Sequence, residues 1–298
     1  KTKPSSDQGI SLTRWIRTKK QWPDSERRMR GRQRYEFSSQ APKEPRRKHD
    51  PGGMGKNHHQ GRAGSILEDK VIPELNKIYQ GDCLEIMRGW PDGFVDLIVT
   101  DPPYGINYQS NMRVASNKFD RIHNDLSKDH YDFFVEMRRV LRDNSVVVSF
   151  CSWKNMAEEY AQMESLFDIK NVVVWDKGGG GIGDLAHSLS TDYELAIIGH
   201  KGAAKLRGKR EGSVWNVGKV NPALMLHPTE KPEAIMGKFI LQFSDDGGTV
   251  LDCFAGSGPT LVSAEKLRRN WIGIELEPKY IAIAQDRINA ERSQGKLF

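Results

Sequence analysis

From Ile66 onward the chain alternates short apolar runs with amphipathic helical patterns. The apolar runs predict buried strands, and the segments between them have helical periodicity. This alternation is typical of an α/β fold with a mostly parallel sheet and helices on both faces. The predicted strands are 96–100, 145–150, 171–175, 194–199, 249–252 and 271–275, and the predicted helices are 131–141, 153–164, 232–243, 260–269 and 278–290. We expect one domain over residues 66–298.

The tetrapeptide Asp101-Pro102-Pro103-Tyr104 follows the first of these strands. Proline has a fixed φ and no backbone donor, so Pro102 and Pro103 present carbonyl oxygens on a loop that does not become helical. Asp101 adds a carboxylate acceptor, and Tyr104 adds an aromatic face on which a base can stack. The tetrapeptide therefore predicts a loop that binds a nucleobase by its exocyclic amine. The alternative is a strand-ending turn with a structural tyrosine.

Residues 250–260 predict a buried strand, a tight glycine-containing loop and a helix that begins at Pro259. We call Phe254–Gly258 the Gly loop. The next predicted strand ends at Glu275, where a carboxylate can accept hydrogen bonds from two ribose hydroxyls. Enzymes that bind nicotinamide dinucleotides share such loops, but Leu261 occupies the place of their third glycine. The loop therefore favours a nucleoside ligand without a pyrophosphate.

Five blocks of the sequence resemble the β-type DNA amino-methyltransferases that use S-adenosylmethionine. They are Gly81-Asp82, Asp101–Tyr104, His227–Pro232, Phe254–Gly258 and Ile272–Glu275, and the resemblance extends from about residue 78 to residue 288. It implies a Rossmann-like methyltransferase sheet in which the motif order is circularly permuted. The implied cofactor is S-adenosylmethionine, and the implied partner is double-stranded DNA.

The resemblance also implies roles for individual residues. Asp101, Pro102, Pro103 and Tyr104 would be catalytic. Glu275 would hold the ribose, and Asp82 would accept from the adenine amine of the cofactor. The rest of the cofactor would contact Asp252, Phe254, Gly256, Ser257, Gly258, His227, Thr229 and Lys231, the last three at the methionyl end.

The predicted chemistry is transfer of a methyl group to an aromatic amine. Acceptors on both N–H groups would free the nitrogen lone pair, with no metal and no covalent intermediate. Cytosine-N4 enzymes of the family more often have Ser in place of Asp101, so the aspartate favours adenine N6. Cytosine N4 and the N6 amine of RNA remain alternatives. Methylation at cytosine C5 needs a Pro-Cys nucleophile, and none of Cys83, Cys151 and Cys253 follows a proline.

Charge is concentrated in residues 1–65, where 17 Lys and Arg stand against 6 Asp and Glu, a net charge of +11. This stretch has no apolar periodicity, so we expect a disordered basic tail that either binds phosphates or acts as a linker.

A second basic cluster lies within residues 178–222, between the catalytic and cofactor blocks. The resembled family has its target-recognition segment there, so the resemblance implies a target-recognition insert over these residues. Its candidate DNA contacts are Lys201, Lys205, Arg207, Lys209 and Arg210. A segment this short predicts brief recognition, or recognition shared with a second copy of the chain or a partner subunit. A solvated basic hairpin is the alternative.

Three cysteines without a C-x-x-C pair exclude a disulfide framework and a cysteine-built zinc site. The sequence has no stretch of 18 apolar residues and no signal peptide, so we expect a soluble intracellular protein without a metal or a membrane partner. Two other classes stay open: a nicotinamide-dependent oxidoreductase, and a catalytically silent DNA-binding subunit of a modification complex.

Overall fold

The computed structural model describes residues 70–103, 130–179, 186–221, 225–227 and 230–294. The predicted basic tail, residues 1–65, lies outside these ranges, and so do Tyr104 and Thr229. No helix in the described ranges is long and apolar enough to cross a bilayer.

The described residues form one sheet of eight strands. The strands are β1 (Lys77–Gln80), β2 (Val95–Thr100), β3 (Leu141–Cys151), β4 (Asp168–Asp176), β5 (Tyr193–Lys201), β6 (Val214–Asn216), β7 (Thr249–Asp252) and β8 (Asn270–Glu275). Their order across the sheet is β1-β8-β7-β2-β3-β5-β4-β6. Every pairing is parallel except those of β5, which runs antiparallel to β3 and β4. The predicted mostly parallel α/β sheet is confirmed.

Within the described ranges, six helices cover the sheet: α1 (Cys83–Arg88), α2 (Tyr131–Val140), α3 (Met156–Glu164), α4 (Glu233–Phe243), α5 (Pro259–Lys266) and α6 (Pro278–Gln294). Because side chains alternate across a strand, β2 contributes to two cores. Leu97 and Val99 pack with α4, α5 and α6 on one face. Ile98 packs with α1, α2 and α3 on the other face. The prediction of helices on both faces is therefore confirmed as well.

The sequence patterns do not predict β1, α1 or β6. These elements have 4, 6 and 3 residues, too few for a periodicity to stand out. The boundary of α3 also differs, because the helix begins at Met156 rather than at residue 153.

The prediction of a target-recognition insert over residues 178–222 stays a prediction, and the strand predicted within it at 194–199 is present as β5. β5 lies inside this range and is hydrogen-bonded to β3 on one side and to β4 on the other. A strand paired along both edges is part of the core sheet. Any recognition role of this range is left to the segments that flank β5 and β6.

Candidate functional site

The loop that begins at Asp101 and the Gly loop are neighbours at the carboxyl ends of two adjacent strands. β2 and β7 pair in parallel, with Leu97 opposite Val250 and Ile98 opposite Leu251. Thr100 Oγ1 donates a hydrogen bond of 2.9 Å to Asp252 Oδ1, which joins the two strand ends. Pockets of open α/β sheets lie beyond such ends, so this edge is the candidate site.

The Gly loop approaches its surroundings more closely than a side chain would allow. Gly256 and Gly258 have φ angles of +51° and +78°, which non-glycine residues rarely adopt. A Cβ on Gly258 would lie 2.8 Å from the Cβ of Ala284, whereas a Cβ on Gly256 would lie 3.4 Å from the His227 ring, in ordinary contact. Burial, with Lys231 and Lys279 nearby, lowers the pKa of His227 to about 4, so the ring against the loop is neutral at neutral pH.

Glu275 ends β8 and holds the Gly loop in place. Its Oε2 accepts from Gly256 N at 2.7 Å, and its Oε1 accepts from Glu277 N at 2.9 Å. Burial raises the pKa of Glu275, and these backbone donors oppose that change. A carboxylate has about four lone-pair positions, so each oxygen can accept a further hydrogen bond from a ligand.

Asp82 lies beside Glu275, because Gly81 N donates to Glu275 O at 3.1 Å. Asp82 is also the N-cap of α1, where its Oδ1 accepts from the amides of Leu84 and Glu85 at 2.9 and 3.2 Å. Its side chain is therefore fixed at the same edge of the sheet.

Asp252 and Phe254 have structural partners at this edge. Asp252 is only 2% exposed, and its Oδ1 also accepts from Phe254 N at 3.1 Å. Burial raises the pKa of Asp252 to about 6, against the hydrogen bonds that it accepts. The ring of Phe254 packs edge-on against that of Phe133 of α2, with 5.3 Å between the two ring centres.

Lys231 contacts the loop that begins at Asp101. Its Nζ lies 2.6 Å from Asp101 Oδ2 and 3.0 Å from Glu194 Oε2, and its side chain is 4% exposed. Glu194 has no role among the sequence predictions, although a charged residue near the start of an apolar strand is a signal that could have found it.

Arg287 of α6 is a second residue that the sequence analysis misses. Its guanidinium donates to Glu230 at 2.8 Å, to the carbonyl and hydroxyl oxygens of Ser257 at 2.9 and 3.1 Å, and to Glu233 at 2.8 Å. It therefore fastens the His227–Pro232 block to the Gly loop. Contacts that span 30 to 57 residues of sequence leave no spacing pattern.

The structure does not bring the predicted DNA-binding residues to this site. Because β5 is antiparallel, Lys201 at its end pairs with Ser145 near the start of β3, at the amino edge of the parallel strands. Lys201 Nζ donates to Leu141 O at 2.6 Å. Arg207 makes a two-pronged ion pair with Asp245, after α4, at 2.7 and 2.8 Å. In sequence, Lys205 lies between Lys201 and Arg207, and Lys209 and Arg210 follow Arg207. Lys205, Lys209 and Arg210 are all exposed.

The three cysteines are buried and free. Burial raises the pKa of Cys83 to about 12 and that of Cys253 well above its usual value. Both thiols are therefore protonated at neutral pH, which makes them poor nucleophiles. The described residues hold no group of three or more His, Cys, Asp or Glu side chains suited to a metal ion.

Comparison with known proteins identifies the family. The N6_N4_Mtase family model, described as DNA methylase, matches residues 95–286, more than half of the chain. The chain belongs to this family. The methylase is similar to the type II methyltransferase M.HinfI of Haemophilus influenzae, with 30% identity over 75% of this chain and 71% of that protein. It is also 32% identical to the methylase YubD of Escherichia coli K12, over 72% of this chain and 91% of that protein.

Solved structures agree with this assignment. The complex of M1.HpyAVI with SAM is 26% identical to the methylase, with a TM-score of 0.57 over 72% of this chain and 98% of that one. The cytosine-N4-specific PvuII DNA methyltransferase, at 17% identity and a TM-score of 0.58, shares the fold. The predicted family and Rossmann-like fold are confirmed, and so is the predicted cofactor, S-adenosylmethionine.

The raised pKa of Asp252 predicts a pH-dependent stability. In the unfolded chain the pKa of an aspartate is near 3.8, and in the fold that of Asp252 is about 6. The contribution of Asp252 to the free energy of unfolding is therefore complete below pH 3.8. It is lost as the pH rises through the folded-state pKa of about 6, and the total loss is roughly 3 kcal/mol. Asp252→Asn keeps the acceptor oxygen for Thr100 and Phe254 but does not ionise.

Urea unfolding of both proteins at pH 5 and pH 8 measures the effect. We expect the stability of Asp252→Asn relative to the unmodified protein to increase between the two pH values. A difference that stays constant with pH would contradict the buried, proton-sensitive role of Asp252.

Proposed function

We propose that this methylase transfers a methyl group from S-adenosylmethionine to the exocyclic N6 amine of adenine in double-stranded DNA. The observation that carries the proposal is the order of polar groups along the carboxyl edge. The order β1-β8-β7-β2 puts Asp82, Glu275, the Gly loop and Asp101 in one row. Neighbouring strands are about 4.8 Å apart, so the row spans about 14 Å. An elongated nucleoside can lie along it with its reacting end toward Asp101.

Each part of the row fits one part of the cofactor. Asp82 would accept from its adenine amine, Glu275 from its ribose hydroxyls, and the positive-φ loop at Gly256 and Gly258 would let the backbone approach its methionyl part. The bound cofactor supplies a methyl group on a positively charged sulfur.

Glu275→Ala tests the ribose contact. Removal of an acceptor for two hydroxyls should weaken S-adenosylmethionine binding by about 1.5 to 3 kcal/mol, since hydrogen bonds to charged groups are of that size. Isothermal titration calorimetry measures the affinity. Glu277→Ala is the matched control, because it removes a nearby carboxyl and keeps the backbone amide that Glu275 accepts from. Equal affinities of the two variants would contradict the ribose assignment.

The reaction needs acceptors before the attack rather than a strong base. When the methyl group moves to the amine, the methyl–sulfur bond breaks, S-adenosylhomocysteine leaves, and the amine loses one N–H proton to solvent. The lone pair of an aromatic amine is delocalised into the ring, which makes the amine a weak nucleophile. Hydrogen bonds from its two N–H groups to the Asp101 carboxylate and the Pro102 carbonyl would favour a tetrahedral nitrogen, whose lone pair is available for attack. Fixed acceptors of this kind supply rate by orientation and by electrostatic preorganisation.

The carboxylate of Asp101 is what favours adenine N6 over cytosine N4, because cytosine-N4 enzymes of the family more often have Ser at this place. Digestion of methylated duplex DNA to nucleosides, followed by mass spectrometry, identifies the product. N6-methyladenine is expected, and N4-methylcytosine would refute the choice of base.

In the same assay Asp101→Ala should lose nearly all methyl transfer, because the amine acceptor is gone. Its affinity for S-adenosylmethionine should stay within about tenfold, or about 1.4 kcal/mol. A rate above a few per cent of the unmodified enzyme would show that Asp101 is not the acceptor.

We infer that DNA approaches the carboxyl edge, where Asp101 lies. Two residues beyond the end of β3, which is the neighbour of β2, Trp153 is 54% exposed and Lys154 is exposed beside it. An exposed tryptophan next to a lysine offers a stacking face and a phosphate contact. The amino edge, with Lys205, faces away from this site.

Two single charge removals distinguish the edges. Lys154→Ala should weaken duplex binding and reduce the slope of log K against log salt by about 0.9, the value for one phosphate contact. Lys205→Ala also removes one exposed lysine and should change neither quantity. Fluorescence anisotropy across a salt series measures both. A loss confined to Lys205→Ala would instead support DNA contact by the 201–210 cluster.

A further inference from the structure

Lys231 Nζ lies between two carboxylates, 2.6 Å from Asp101 Oδ2 and 3.0 Å from Glu194 Oε2. The far side of Glu194 is also paired, because its Oε1 lies 3.3 Å from Lys177 Nζ. Four charged groups therefore alternate in sign from Asp101 to Lys177. The Lys231 ammonium also lies 5.3 Å from the centre of the Phe150 ring, which lies beneath it.

Lys231 and Glu194 both stay charged in this arrangement. Burial alone would lower the pKa of Lys231, but Asp101 and Glu194 together raise it well above its usual value. Burial would likewise raise the pKa of Glu194, and Lys231 and Lys177 together lower it. A buried charge is tolerated only when it is paired in this way.

The antiparallel direction of β5 is what brings Glu194 here. Every other strand presents its last residues at the carboxyl edge, whereas β5 presents its first residues, and Glu194 lies opposite Trp175 near the end of β4. β5 lies between β3 and β4 and runs in the opposite direction, and it therefore places the Glu194 carboxylate near Asp101.

We propose that Lys231 is a positioning residue for Asp101, rather than a contact for the methionyl end of the cofactor, and that Glu194 positions Lys231. A carboxylate that is free to rotate presents its oxygens in many directions. With Oδ2 held by Lys231, the carboxylate plane of Asp101 is fixed, and its other oxygen has one direction in which to meet the amine. The ammonium also balances the negative charge of the Asp101 carboxylate, and a charged carboxylate is a stronger acceptor than a neutral group.

This inference rests on the proposed methyl transfer, so the first test separates rate from cofactor affinity. Lys231→Met keeps the stem and removes the charge. Single-turnover methyl transfer should fall about 100-fold, the scale of a misplaced reacting group, while S-adenosylmethionine affinity stays within about threefold. Lys231→Arg should recover part of the rate, and Glu194→Gln should lower the rate in the same direction as Lys231→Met.

A parallel loss of affinity and rate in Lys231→Met would make Lys231 a cofactor contact and overturn the proposal. An unchanged rate in Glu194→Gln would overturn the role of Glu194. Absence of any transfer by the unmodified enzyme would count against the proposed function instead, and the network is then tested by stability alone.

Thermal unfolding supplies that independent test. Lys231→Met should lower the Tm, because it removes the cation beside the partly buried Asp101 carboxylate and leaves Glu194 with Lys177 alone. Adding Asp101→Asn and Glu194→Gln to the same protein should return much of the lost Tm, since the two carboxylate charges that faced Lys231 are then removed. If the three changes lower the Tm additively, the groups do not form a network, and the proposal fails.

Discussion

The parallel pairing of β2 with β7 is the constraint on which the site depends. The two strands end at the same level although their last residues, Thr100 and Asp252, are 152 residues apart in sequence, and a hydrogen bond of 2.9 Å between these residues fixes that level. A slip of one residue would turn every side chain of β2 to the opposite core and move Asp101 away from the Gly loop. The register is secure because β2 is buried on both faces by different sets of helices.

Around this register, charge is balanced pair by pair. Lys231 lies between Asp101 and Glu194, and Arg287 joins Glu230, Glu233 and Ser257. Each of these links runs from one sequence block to another, so the ends of four elements are fixed without a metal or a disulfide among the described residues. Preorganised acceptors of this kind are what an amine nucleophile needs, because the protein does not then have to rearrange during the reaction.

The sequence predicts the central strands and the long helices, because runs such as 95–100 and 249–252 are apolar and end at chemically distinctive residues. A parallel sheet also puts Asp101 and the Gly loop at one edge, since both follow strands, and Glu275 ends a third strand there. The motifs thus contain the outline of the site. Short elements such as α1 are not predicted, because six residues form less than two helical turns and show no clear periodicity.

Partnerships across the sheet could not be predicted in the same way. The direction of β5 decides that Glu194 reaches the site and that Lys201 does not, and an apolar run has no direction of its own. The resemblance of the His227–Pro232 block implies that Lys231 contacts the cofactor, whereas in the structure its ammonium lies against Asp101. Such pairings depend on how distant parts of the chain come together in the fold. Local sequence patterns and charge counts do not contain that information.

The central claim is that one cofactor lies along the row from Asp82 to Asp101 with its reacting end at Asp101. A crystal structure with S-adenosylhomocysteine and a methylatable duplex tests it most directly. The account predicts ribose hydroxyls within about 3 Å of the Glu275 carboxylate and the target amine at a similar distance from Asp101. A nucleoside bound away from the Gly loop, or an amine that faces away from Asp101, would contradict it.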